Sequence, residues 1–163
     1  MGMRTVLVAM ASSLVLVGCS ALGSQGRDAP ELTDEYGCGY GFHVGSADQT
    51  AGLFLDYNDW DAAGSDDLSP DLAGEEWTAE LRFGADLFAN WCDDVLEPDE
   101  PEPVVDEVWL VSGRIEVDTL PEGMCGGAAT ATLSDVTAHS DEGGTISLGD
   151  MEVGNDAWGC FAG

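Results

Sequence analysis

Residues 128–140 (AATATLSDVTAHS) and residues 145–153 (TISLGDMEV) decide the fold class of this 163-residue chain. Both have the composition of β-strands, and neither contains a proline. Residues 141–144 (DEGG) lie between them and have the acidic, glycine-rich composition of a hairpin loop. The three segments together predict an antiparallel hairpin.

This hairpin also predicts how the cysteines pair. Four cysteines follow residue 19, and four cysteines allow three sets of two disulfides. If pairing runs without interruption from a turn centred between residues 142 and 143, Cys125 falls opposite Cys160. We therefore expect the disulfides Cys125–Cys160 and Cys38–Cys92.

Apolar residues alternate with polar or small ones in several other segments, which predicts further strands. These segments are residues 40–44, 51–57 and 77–85, while residues 107–117 are β-rich and apolar enough for a central strand. With about seven short strands and no long amphipathic helix, the pattern predicts a single β-sandwich, immunoglobulin-like by analogy only.

Two intervening segments are less regular. Residues 87–91 fit either a continuation of a strand beyond Gly84 or a short helical turn. Residues 93–106 contain three prolines among acidic residues, so we expect a solvated loop there.

The charge of the chain restricts its partners. Asp and Glu number 32 against four Lys and Arg, which gives a net charge of −28, and all four cations are arginines. Nucleic acid is excluded as a partner because phosphate binding needs clustered Lys or Arg. Schiff-base chemistry is also excluded, since it requires a lysine.

The first 18 residues have the organisation of an export signal. Arg4 provides the positive charge, and an apolar run extends over residues 5–17, which is too short to remain as a membrane-spanning helix. The run ends in Leu-Val-Gly-Cys at residues 16–19, which resembles the lipobox of bacterial lipoproteins.

The resemblance implies that signal peptidase II cleaves between Gly18 and Cys19, and that the Cys19 thiol carries the lipid. It also implies a bacterial cell membrane location with the chain facing outside the cytoplasm; inner and outer membrane both stay open. The expected organisation is a signal peptide over residues 1–18, the lipidated cysteine with a flexible tether over residues 19–35, and the β domain over residues 36–163.

An acidic loop provides the candidate metal site. Asp59, Asp61 and Asp67 follow part of the spacing of an EF-hand calcium loop, with Gly64 at its sixth position. Positions five and twelve depart from that pattern, and no flanking helices are predicted. Ca²⁺, bound irregularly at these three aspartates, is therefore the one cofactor that the sequence suggests.

The remaining candidate residues have ordinary structural interpretations. His43 and His139, the only histidines, lie in predicted strands and are expected to be strand residues. The five tryptophans fit a hydrophobic core better than a sugar-binding face.

We therefore expect a lipid-anchored module that binds a protein or glycan partner without catalysis. Two alternatives stay open: a small surface hydrolase that works through carboxylates, and a Ca²⁺-dependent adhesion or carbohydrate-binding module.

Overall fold

The computed structural model describes residues 27–59, 68–93, 101–121, 125 and 127–160. These residues form seven strands: β1 (Asp34–Tyr36), β2 (Gly41–Gly45), β3 (Ala51–Tyr57), β4 (Trp77–Ala85), β5 (Val104–Thr119), β6 (Ala129–His139) and β7 (Thr145–Asn155). None of them forms a helix with the length and apolar character needed to cross a membrane.

The strands form one antiparallel sheet in which each strand pairs with the next along the chain. The predicted all-β class with two disulfides is confirmed. The arrangement as a two-sheet sandwich is not confirmed, because all seven strands belong to a single sheet. The sheet curls until β7 lies close to β1 and β2, as accumulated strand twist allows.

The inner face of the curled sheet encloses the main hydrophobic core. In β4 the buried and less buried residues alternate as the sequence pattern predicts. Fully or almost fully buried residues come from six of the strands and the C-terminal segment, and they include Phe42, Leu53, Leu55, Leu81, Ile115, Leu133, Val153 and Trp158.

Strands β2 and β3 are exceptional because they are buried on both faces. Residues 86–92, which we call the outer-face cover, follow β4 in a series of turns and lie over the outer side of these strands. Phe54, Leu87 and Phe88 are buried there, with Tyr36 and Trp91 packed against them. Residues 87–91 form turns rather than a continuation of β4, and neither a strand nor a helix is present there.

Small residues in the sheet make room for the cover. A Cβ atom added to Gly45 would lie 2.5 Å from the Phe88 ring, and one added to Gly52 would lie 2.7 Å from it. Because such distances are shorter than any tolerable contact, the Phe88 ring requires glycine at both positions.

Both disulfides have the predicted partners. Cys38–Cys92 joins the segment before β2 to the end of the outer-face cover, with Cα atoms 5.8 Å apart. Cys125–Cys160 joins the segments that flank the last hairpin, with Cα atoms 4.3 Å apart.

The hairpin register differs from the predicted one by one residue. His139 pairs with Thr145, so the turn is centred on residue 142. Its loop has three residues, and Gly143 at its end has a φ of 85° while its N–H donates to the Ser140 carbonyl over 3.0 Å. This is a turn followed by a glycine bulge, a common way to close a three-residue hairpin.

Contacts with the domain begin earlier than the predicted tether boundary. The Thr33 N–H donates to the Gly45 carbonyl over 2.9 Å, and Leu32 packs against the main core. Strand β1 begins at Asp34, inside the predicted tether, so the folded unit starts before residue 36.

Candidate functional site

Most of the residues singled out for lipidation and metal binding cannot be placed. Gly18, Cys19, Asp61 and Asp67 lie outside the described residues, while Asp59 is exposed just after β3. Among the residues that the structure describes, no three His, Cys, Asp or Glu side chains form a metal-binding group. The Ca²⁺ site therefore stays a prediction.

His43 lies on the outer face of β2, beneath the cover. Its side chain is 1% exposed, and its Nε2 atom is 2.9 Å from Oδ1 of Asp56, whose side chain is 46% exposed. Asp56 pairs with Gly41 across the strands, so it is the diagonal neighbour of His43. The carboxylate thus fixes the imidazole from the solvent side.

The other ring nitrogen of His43 faces an apolar environment. Its Nδ1 atom is buried and has no hydrogen-bond partner among the described residues. The Trp91 ring lies edge-on to the imidazole with centroids 4.6 Å apart, and a shallow cleft of about 330 Å³ lies beside the pair. Sequence patterns missed this arrangement because it depends on the β2–β3 register and on the cover.

His139 lies on the exposed outer face where β5, β6 and β7 are adjacent. Its Nε2 atom is 3.4 Å from Oγ of Ser112, and its Nδ1 atom is 3.5 Å from Oγ1 of Thr145. A nucleophile and its base require about 2.6–3.2 Å. The Ser112–His139 separation is longer than this, and His139 is a strand residue at the end of β6, as predicted.

The described tryptophans are mainly core residues. Trp77, Trp109 and Trp158 are buried in the main core, and Trp91 belongs to the outer-face cover. Trp60 lies outside the described residues. The described tryptophans therefore do not form an exposed sugar-binding face.

The largest apolar exposure in the described part of the chain lies on β5. The exposed fractions are 50% for Val104, 46% for Val105, 43% for Val108 and 62% for Leu110. We call Val105, Val108 and Leu110 the β5 stripe.

The cross-strand register gives the three stripe residues one common face. They lie opposite Gly84, Arg82 and Glu80 of β4, respectively, and a bulge between Phe83 and Gly84 brings Val105 onto the face of the other two. Arg82 marks this face as the outer one, because its guanidinium carbon lies 4.2 Å from the centre of the Phe54 ring.

The first half of β5 also has an open edge. Strand β4 pairs with β5 from Val104 to Leu110, whereas β6 begins to pair with it only at Leu110. On the β6 side, no described residue supplies a strand partner for residues 104–109. A strand edge that lacks a partner among the described residues is the kind of edge that can pair with another strand.

Acidic residues surround this edge. Asp106 and Glu107 lie within it, and Asp141 and Glu142 lie in the hairpin loop that follows His139, the partner of Leu110. The carboxylate of Glu107 accepts a hydrogen bond of 2.8 Å from Arg27.

Arg27 makes two contacts in this acidic region. Besides its ion pair with Glu107, its guanidinium carbon lies 3.7 Å from the centre of the Phe83 ring. A cation held between a carboxylate and an aromatic face combines charge pairing with a cation–π contact.

Two shifted pKa values lie at the other end of the sheet. Burial, followed by the charge of Asp34, raises the pKa of Tyr36. Hydrogen bonds from the Ser46 and Thr50 side chains, together with the Thr50 backbone N–H, lower the pKa of the Asp48 carboxyl in the β2–β3 turn. Both groups stabilise local structure.

Comparison of the chain with models of protein families, with curated proteins and with solved structures finds no match.

Proposed function

We propose that this protein is a lipid-anchored bacterial lipoprotein whose acidic β domain binds a protein partner outside the cytoplasm. It acts by binding rather than by catalysis. The observation that carries the proposal is the β5 stripe, three aligned apolar side chains that are 43–62% exposed. Contiguous exposed apolar groups with a polar surround are typical of interaction surfaces.

The anchor part of the proposal rests on the sequence of residues 16–19, which resembles a lipobox. Each acyl CH₂ buried in the bilayer contributes about 0.8 kcal/mol, so two or three chains on Cys19 hold the protein durably. Residues 19–26 separate the acyl group from the first described residue. Eight residues span at most about 29 Å, so the domain stays near the membrane.

The net charge of −28 favours a protein partner over the lipid surface itself. Anionic headgroups repel such a domain. The β5 stripe is therefore available to another protein at the same membrane.

The anchor is tested by replacing Cys19 with alanine in a bacterial host fed a radiolabelled fatty acid. We expect the natural chain to carry label and to fractionate with membranes, and Cys19→Ala to do neither. Labelling that persists in the variant would contradict lipidation at Cys19.

The binding surface is tested with a photo-crosslinking amino acid placed at position 110 in intact cells. Thr130, an exposed residue of β6, is the matched control position. We expect one crosslinked species from position 110 that is absent with position 130. Equal crosslinking from both positions, or none from position 110, would contradict a binding role for the stripe.

A further inference from the structure

We infer that the open edge of β5 binds an extended, cationic segment of the partner as an additional β-strand. This inference rests on the proposed function, because it specifies which partner the same surface binds and how. It names the partner by its chemistry: a peptide segment in which basic residues alternate with apolar ones.

The backbone of β5 provides the first argument. Residues 104–109 are paired with β4 on one side only, and β6 leaves the other side free up to Leu110. Strand addition to such an edge supplies main-chain hydrogen bonds without any change in the domain. The six residues match a peptide segment of about 20 Å.

The two faces of this half-strand provide the second argument. Val105 and Val108 point to the outer face, whereas Glu107 lies opposite Phe83, a residue of the inner core. Successive side chains of an added strand also alternate between the faces. An added strand therefore meets apolar groups on one face and a carboxylate beside an aromatic ring on the other.

Charge selects between possible occupants. Asp106 and Glu107 lie in the edge, and Asp141 and Glu142 lie in the loop that follows His139, the partner of Leu110, in a chain of net charge −28. A second copy of the chain would bring the same acidic residues into contact with them, which is unfavourable for strands that pair directly. The chain's own Arg27 already occupies the place between Glu107 and Phe83, and it shows the kind of contact that a guanidinium makes at this edge. The complementary partner is cationic.

The test measures binding of the full-length protein, in detergent, to a fluorescent eight-residue peptide of alternating arginine and valine. We expect saturable binding that weakens as salt is raised. A second peptide has the same side chains but carries N-methyl groups on alternate amides, which removes strand hydrogen bonds and keeps the charge. We expect it to bind at least tenfold more weakly.

Two protein variants locate the site. Leu110→Lys adds a positive charge to the stripe and is expected to weaken binding of the arginine–valine peptide at least tenfold. Thr130→Lys adds the same charge to an exposed position of β6 away from the edge, and binding is expected to stay within twofold of the natural protein.

Three results would overturn the inference: no saturable binding at low salt, equal affinity for the N-methylated peptide, or equal effects of Leu110→Lys and Thr130→Lys. Equal binding of a glutamate–valine peptide would also overturn it, because charge would then not select the partner.

A failure of this inference can be distinguished from a failure of the proposed function. A position-110 crosslink in cells, combined with no peptide binding, would leave the binding module intact and remove only the strand-addition mode. Sedimentation of the purified protein tests the alternative that a second copy of the chain binds the edge. If the protein is a dimer that Leu110→Lys dissociates, the second copy replaces the peptide as the occupant.

Discussion

Among the described residues, the outer face of the sheet is covered at one end and exposed at the other. Over β2 and β3 it carries His43 and Phe54, and the chain covers them with its own residues 86–92 and fastens that cover with Cys38–Cys92. Over β5 it carries the β5 stripe, which no described residue covers. Within the described ranges, the chain therefore buries the apolar groups of this face over β2 and β3 and leaves those of β5 exposed. This difference is the reason why we propose a structural role for the covered end and a binding role for the open end.

The covered end owes its stability to stacked aromatic rings. The Phe88 ring lies between Tyr36, at a centroid distance of 3.8 Å, and Phe54, at 4.8 Å. The Arg82 guanidinium covers the outside of Phe54. Such contacts add to the free energy gained by burying the rings themselves.

The largest expected effect is the loss of the disulfide that fastens the cover. Replacing both Cys38 and Cys92 with alanine should lower the free energy of unfolding by about 4 kcal/mol, because the bridge closes a loop of 54 residues. Urea unfolding measures this change. A loss below about 1 kcal/mol would contradict a stabilising role for the cover.

The second-largest effect is expected when one apolar side chain is truncated at the covered end of the outer face, and a much smaller one when the same is done at the open end. Phe88→Ala should lower the free energy of unfolding by about 3 kcal/mol, since it empties a buried aromatic site. Leu110→Ala should change it by less than about 0.5 kcal/mol, because the leucine is 62% exposed. Parallel urea titrations of the two variants and the natural protein give both values. Similar losses in the two variants would show that the ends do not differ.

A smaller effect is expected beneath the cover. Asp56→Ala removes the hydrogen-bond partner of a buried imidazole and should lower the free energy of unfolding by about 1 kcal/mol. Asp56→Asn keeps an oxygen in the same position and is the matched control, with a smaller loss. If the alanine variant is as stable as the natural protein, the His43–Asp56 pair does not support the covered end.

The smallest effect concerns pH at the β2–β3 turn. The pKa of Asp48 is lower in the folded protein than in the unfolded chain, so its contribution is present above the ordinary aspartate value and is lost as pH falls below about 4. Asp48→Asn should flatten this part of the curve of melting temperature against pH. Superimposable acid limbs of the two curves would contradict the role of Asp48.

Several features of the fold could be predicted from residues alone. The alternation in residues 77–85 gives β4, and the hairpin composition gives β6, β7 and the Cys125–Cys160 pair. The predicted register was wrong by one residue because the hairpin closes through a three-residue loop with a glycine bulge at Gly143. The composition of residues 141–144 (DEGG) does not determine whether the loop has three or four residues.

The two ends of the outer face could not be predicted in the same way. Residues 86–92 lack a periodicity of their own, and their position is set by Gly45, Gly52 and a disulfide distant in sequence. The open edge depends on where two neighbouring strands stop pairing with β5. Its first residues, Val104 and Val105, lie within residues 93–106, which the sequence assigned to a loop, and the loop prediction is wrong there because β5 begins at Val104.

Amide hydrogen exchange along β5, measured by NMR on the full-length protein, tests the open edge most directly. The amides of residues 104–109 that point away from β4 should exchange rapidly in the free protein and become protected when the arginine–valine peptide is added. The amides of β2 should be protected in both states. Protection of residues 104–109 without peptide, or rapid exchange at peptide saturation, would contradict strand addition at β5.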